Sequence, residues 1–182
     1  MPRFSNTLRG DMKLESEAYT DADLNSFLTQ QLDRERMVLA DRLEKASARL
    51  ATIAPRIKSG HGEGEWSDHE VLAHIAVLSK YYGVLVHRIS SGQVTEVDLL
   101  GNTKLRDAAG QQMSEIAPSE LLKATLADHA RTAKLLRTVE ATALRKEVTD
   151  AGGGTYSAEF LARYPLINHL EEHVDQLERS LA

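Results

Sequence analysis

His169 and His173 stand four residues apart in the stretch Asn168-His169-Leu170-Glu171-Glu172-His173. On a helix, four residues turn through roughly 400° at about 100° each, so both imidazoles project from one face, one turn apart. One helix can thereby offer two nitrogen ligands to a single divalent metal. A third imidazole, His74, lies far upstream on a separate amphipathic segment, between Val71 and Leu78 on its apolar stripe. Three imidazoles from two helices would leave coordination positions free, which is how a catalytic metal differs from a closed structural one. Leu166, Leu170, Val174 and Leu177 share the side of the last helix that carries the pair, so these rings are expected to point inward. A buried imidazole needs partners for both ring nitrogens, and a metal satisfies one of them. A lone histidine on such a face is more often a satisfied core residue than a ligand, so the expectation rests on all three meeting.

The elements that must bring them together are legible in the hydrophobic spacing. Thr20 or Asp21 caps a first long helix carrying Leu24, Phe27, Leu28, Leu32, Leu39, Leu43, Ala46 and Leu50 at helical intervals. Pro55 and the glycine-rich stretch 59–64 end it. Ser67 and Glu70 then form a capping box, with Trp66 at the position of a hydrophobic staple. The second helix runs to about Ile89 and stops at Ser90-Ser91-Gly92. Residues 93–116 read as an irregular or weakly helical crossover. Pro118 and Glu120 open a third helix with Leu122, Leu126, His129, Ala133 and Leu136. Residues 147–156, with three consecutive glycines, read as a turn or flexible loop. The last helix spans roughly residues 157–181, and Pro165 inside it either kinks it or marks its start. Four long helices and no convincing strand predict an all-α fold, a four-helix bundle with a long crossover connection. That domain covers residues 21–182, after a loosely held arm over residues 1–20. For the imidazoles to meet, the second and fourth helices must be neighbours.

Composition removes several alternatives. Twenty-seven acids against 22 bases give a net charge of −5, and no basic run alternates with aromatics, which argues against nucleic acid as a partner. With no cysteine there is no disulfide, no thiolate zinc site and no cysteine nucleophile. No stretch approaches the ~18 apolar residues of a membrane span, and residues 1–14 lack the apolar core of a signal peptide. A cytoplasmic location is the expectation.

The remaining histidines and nearby acids are weaker candidates. His69 and His87 each lie about 140° from His74 on the helical wheel and are expected to be solvated. His61 sits in the glycine-rich loop. His129 interrupts the leucine stripe of the third helix and either lines a cavity or packs at its edge. Glu70 is one turn before His74, though its capping role accounts for it equally well. Glu172 could orient a neighbouring ligand or simply face solvent, and Tyr81, which shares the face of His74, either lines the pocket or packs as an ordinary core tyrosine.

At these residues the chain resembles the DinB-like proteins. Trp66-Ser67-Asp68-His69-Glu70-Val71-Leu72-Ala73-His74-Ile75 is similar to that family's tryptophan, capped helix and leucine-x-histidine segment. Leu166-Ile167-Asn168-His169-Leu170-Glu171-Glu172-His173-Val174-Asp175-Gln176-Leu177 resembles its closing histidine-xxx-histidine helix. The resemblance covers roughly residues 24–181, its specific part being these two segments. It implies a four-helix bundle holding a divalent metal (zinc, nickel or iron) on His74, His169 and His173 at one end. Several members of the family are S-transferases or isomerases that use bacillithiol, mycothiol or glutathione. Pro165 and the N-terminal arm depart from the family pattern and bear on where the last helix starts.

The function expected is that of a divalent-metal-binding protein, a transferase or hydrolase acting on a small molecule, with a low-molecular-weight thiol as a candidate cosubstrate. No catalytic acid or base is assigned. The alternatives are a non-catalytic bundle whose metal only ties two helices together, and a dimerising helical stress protein without metal. Bundle faces often pair, which makes a homodimer the assembly to consider.

Overall fold

A capping box opens each of the two longest helices. Thr20 Oγ1 accepts from the Asp23 amide at 3.2 Å while the Asp23 carboxylate accepts from the Thr20 amide at 2.9 Å, starting α1 (Asp21–Ile53). Ser67 and Glu70 make the same reciprocal pair at the head of α2 (Asp68–Ser90). Gly92, at φ +77°, ends α2 in a left-handed turn, with its amide bonded to the Ile89 carbonyl and that of Gln93 to Arg88. The computed structural model describes residues 20–63, 65–99 and 101–182. The expected arm over residues 1–20 therefore falls almost wholly outside the described residues.

The chain continues through β1 (Glu96–Val97), α3 (Gly101–Met113), α4 (Pro118–Thr138), β2 (Glu147–Asp150), β3 (Thr155–Ser157), α5 (Ala158–Leu161) and α6 (His169–Ser180). A π-helical stretch, Ala162–Asn168, joins α5 to α6, so the last rod runs unbroken through Pro165. Proline offers no N–H and its ring crowds the carbonyl four residues back. A widened turn relieves that crowding and moves the bond pattern to i→i+5, as the His169 amide reaching the Tyr164 carbonyl shows. Pro165 thus neither starts nor breaks the helix.

α1, α2, α4 and the last rod form the four-helix bundle, with α3 in the crossover packed on α2. Their inward faces supply a continuous core that includes Leu39, Leu43 and Leu50 from α1, Leu72 and Ile75 from α2, Leu136 from α4, and Ile167 and Leu177 from the last rod, all at most 2% exposed. Helices α2 and α4 approach closely at Gly83, where a Cβ would lie 2.5 Å from Thr132 Oγ1.

Three expectations are corrected. The region 147–156 is a β-hairpin, with Glu147 opposite Ser157, Val148 opposite Tyr156 and Thr149 opposite Thr155, and β1 adds to β2 in parallel. Strands of two to four residues are too short to leave a period-two signature, although the side chains of β2 do alternate exposed and buried. The crossover holds a regular helix, α3, where irregular or weakly helical chain was expected. On α1, Leu24, Phe27 and Leu28 are half-exposed. Arg36 donates to the Leu136 and Arg137 carbonyls at the C-terminal end of α4, so the turns of α1 before it run past that partner. Periodicity reported a helix there but not what covers it.

Candidate metal centre

α2 and α6 pack against each other, as the meeting of the three imidazoles requires. Nε2 of His169 lies 3.4 Å from Nε2 of His74 and 3.2 Å from Nε2 of His173. Ring centroids are 5.1 Å apart for His74 and His169, 5.0 Å for His74 and His173, and 4.3 Å for His169 and His173. All three rings are partly buried, and one nitrogen of each lies within 4.8 Å of the others.

Hydrogen bonding alone cannot satisfy this arrangement. Nε2 of His169 has two nitrogen neighbours but carries either one lone pair or one hydrogen, so it can make one conventional bond, not two. Burial, and then the charge of His173, push the His169 pKa down, which favours the neutral ring with a lone pair available. A cation between the rings would satisfy all three nitrogens at once. At zinc–nitrogen distances of ~2.0–2.1 Å, tetrahedral ligands stand about 3.3–3.4 Å apart, close to the two separations found. The donor set and the spacing therefore fit a divalent ion.

Several neighbours hold the rings in place. Nδ1 of His173 donates to Gln176 Oε1 at 2.8 Å, so that in the neutral ring the lone pair is on Nε2, which faces the other two rings. Arg42 of α1 grips the acidic face of α6, bonding Glu171 at 3.0 and 2.5 Å and Asn168 at 2.7 Å. Arg49 repeats the grip about two turns along, on Glu178 at 2.9 Å and Asp175 at 2.5 Å. Exposed ion pairs add little stability singly. This ladder instead sets the rotation of α6, turning its acids toward α1 and its histidines toward α2. Trp66, expected as a staple, places its ring 4.7 Å from that of His74 and covers one side of the cluster. Helical spacing alone does not single out Gln176 or Arg42; the Nδ1 of a ligand histidine commonly needs an acceptor, and Gln176, one turn on from His173, is the signal the sequence offers.

The other candidates resolve differently. His69, expected to be solvated, is 3% exposed: its Nε2 donates to the Ile116 carbonyl at 2.8 Å and its Nδ1 accepts from the Gly60 amide at 3.3 Å. The loop before α2 and the α3–α4 junction cover a face that the helical wheel leaves open. His87 is exposed, as expected, and exposed His61 sits beside Glu70. His129 is 2% exposed, with Ser79 Oγ 2.7 Å from Nε2 and Ser47 Oγ 3.0 Å from Nδ1, and burial holds its pKa down to about 4. Glu70 accepts from the Ser67 and Gly62 amides, which bring its carboxyl to about 2, so it serves the cap. Tyr81 lines a separate cavity of about 640 Å³ between α2 and α3, its hydroxyl accepting from Asn102. Its neighbour Tyr82 lines the cleft that opens on His169, together with Glu172.

The sequence profile of the DinB superfamily matches residues 31–177. No curated protein sequence gives a match. The structure is similar to that of a mycothiol-dependent maleylpyruvate isomerase, with a TM-score of 0.59 and 21% identity over 82% of this chain and 60% of that one. This chain thus spans about three-fifths of the isomerase's length. YfiT from Bacillus subtilis, described as "a probable metal-dependent hydrolase with an unusual four-helix bundle topology", aligns with a TM-score of 0.52 and 16% identity over 90% of each chain. Identities this low show a shared fold. No helix among the described residues is long and apolar enough to cross a membrane.

Proposed function

The chain belongs to the DinB superfamily, and from that premise we propose that it is a metal-dependent enzyme, a transferase or hydrolase acting on a small molecule, with His74, His169 and His173 as the ligands of a divalent ion. The observation that carries this reading is the meeting of three Nε2 atoms around His169 at 3.2 and 3.4 Å, a spacing suited to tetrahedral coordination. Zinc, nickel and iron all suit three imidazoles. A divalent ion held there supplies Lewis acidity toward a substrate carbonyl or thiol. Gln176 keeps His173 in the tautomer that faces the cluster, and Arg42 keeps α6 turned so that both its histidines do so. Glu172, beside His169 on the wall of the open cleft, is placed to accept a proton from a bound ligand. The chain has no cysteine, so a sulfur nucleophile arrives as a low-molecular-weight thiol; the similarity to a mycothiol-dependent isomerase supports that cosubstrate.

The test is metal quantification on protein purified without an affinity tag. Wild type is expected to carry close to one equivalent, and His74→Ala and His173→Ala to carry little. Equal metal in all three, or none in wild type after incubation with zinc, nickel and iron(II), sinks the assignment. The half-exposed Leu24, Phe27 and Leu28 on α1 support a homodimer as the assembly. Light scattering is expected to return twice the chain mass for wild type and the single-chain mass for the triple variant Leu24→Ser, Phe27→Ser, Leu28→Ser; a monomeric wild type refutes the dimer.

A further inference from the structure

We infer that the aromatic wall of the cleft beside His169 recognises a planar, unsaturated group and, in the absence of a metal ion, favours one that carries no negative charge. This deepens the reading of His169 as part of a reaction centre and rests on it. The cleft encloses about 760 Å³, within the range of small-molecule sites. Its wall is an aromatic ladder built at intervals of four residues: Tyr156 from β3, Phe160 from α5 and Tyr164 from the π-helical stretch. Their ring centroids follow one another at 5.3 and 4.9 Å, with interplanar angles of 30° and 40°. Tyr82 lines the same cleft, so four of the nine aromatic residues of the chain gather here. Phe160 is 38% exposed and Tyr164 53% exposed. Rings of this size left in solvent along a concave wall do not serve the core; they offer area on which a flat ligand can stack.

The charge of the wall decides the class further. The ionisable acids lining it are Asp150 and Glu172, and among the described lining residues there is no lysine or arginine. Asp150 is held in place by the Leu99 amide at 2.7 Å and the Gly152 amide at 3.0 Å. In the metal-free chain an anionic ligand stacked on the ladder would meet like charge from these two carboxylates, whereas a neutral or cationic one gains from them and from the tyrosine and phenylalanine faces; a divalent ion at the histidines would offset that repulsion.

Three flat probes of matched shape separate these cases: benzamide, its cationic analogue benzamidine and its anionic analogue benzoate. The full-length chain is titrated with each, with and without zinc, while the aromatic proton signals of Phe160 and Tyr164 are followed by NMR. Benzamidine and benzamide are expected to move those signals in both preparations, and benzoate to leave them in place in the zinc-free chain. Phe160→Ala and Tyr164→Ala should each weaken benzamidine binding by roughly two- to tenfold, the range of a lost aromatic contact. Both residues are exposed enough for the variants to keep their fold, which circular dichroism checks. Benzoate moving the signals as much as benzamidine in the zinc-free chain overturns the proposal, as does benzamidine binding unchanged in both variants. A chain that binds no zinc but still takes benzamidine on the ladder rejects the metal reading alone. Zinc bound at the histidines with the ladder unmoved by any probe rejects this inference alone.

Discussion

His169→Ala is expected to abolish stoichiometric metal binding while leaving the bundle folded. His169 is the one ring whose Nε2 contacts both of the others, so its loss leaves His74 and His173 without their shared neighbour. The affinity should fall by more than the ~100-fold that removal of an outer-shell partner can cost. Gln176→Ala, which frees the Nδ1 of His173 but keeps all three rings, should fall in the intermediate range of roughly 10- to 100-fold. The chain contains its own reporter, because its single tryptophan, Trp66, lies with its ring 4.7 Å from that of His74. Nickel, as a paramagnetic ion, is expected to quench Trp66 fluorescence saturably in wild type, at higher concentration in Gln176→Ala and not in His169→Ala. Stoichiometric quenching in His169→Ala would remove the centre from the account. The fold should survive because α6 is held independently by Arg42 and Arg49 and by the buried Leu170, Val174 and Leu177.

Stability is expected to fall as the pH drops from about 6.5 toward 4, with His129 a principal cause. This ring is 2% exposed between Ser47 and Ser79, and its folded pKa of about 4 lies below the ordinary 6.5 because burial disfavours the charged form. A depressed folded pKa means that the unfolded chain binds the proton first. The stabilisation is thus complete above pH 6.5 and is withdrawn as the pH falls through the window down to about 4. At pH 4.5 the loss is about 2.5 kcal/mol relative to pH 7.5, taking about 1.36 kcal/mol per pKa unit. Urea unfolding at the two pH values measures it directly. His129→Gln keeps a donor and an acceptor for the two serines but cannot titrate, so its stability should change between the two pH values by about 2.5 kcal/mol less than that of wild type. His169 shifts in the same direction, and subtracting the variant isolates His129. An equal pH slope in variant and wild type would show that His129 already carries its proton when folded, or that the proton enters without cost.

The capping box of Ser67 and Glu70, the stop at Gly92 and the shared face of His169 and His173 all depend on partners within five residues. Interactions that short are written in the order of residue types, because the helix itself supplies the geometry. The four-helix bundle follows from the same local periods, summed over four segments. His69 shows where that ends: its placement turns on Ile116, 47 residues away, and on a loop folded over the helix. Leu24, Phe27 and Leu28 show the converse, an apolar stripe formed as periodicity requires but left half-exposed because α4 stops at the level of Arg36.

The residue types and their spacing determined that this chain builds long amphipathic helices, and that one of them carries two imidazoles on a single side. Only the tertiary structure decided that His74 arrives 95 positions away with its Nε2 3.4 Å from that of His169. It also decided that a widened turn carries the helix past Pro165, that Arg42 and Gln176 hold the rings, and that Tyr82 rather than Tyr81 faces the open cleft. The physical reason is range. A helical turn relates residues three or four apart by backbone geometry alone, whereas a convergence of separate rods depends on how every face in the core packs at once.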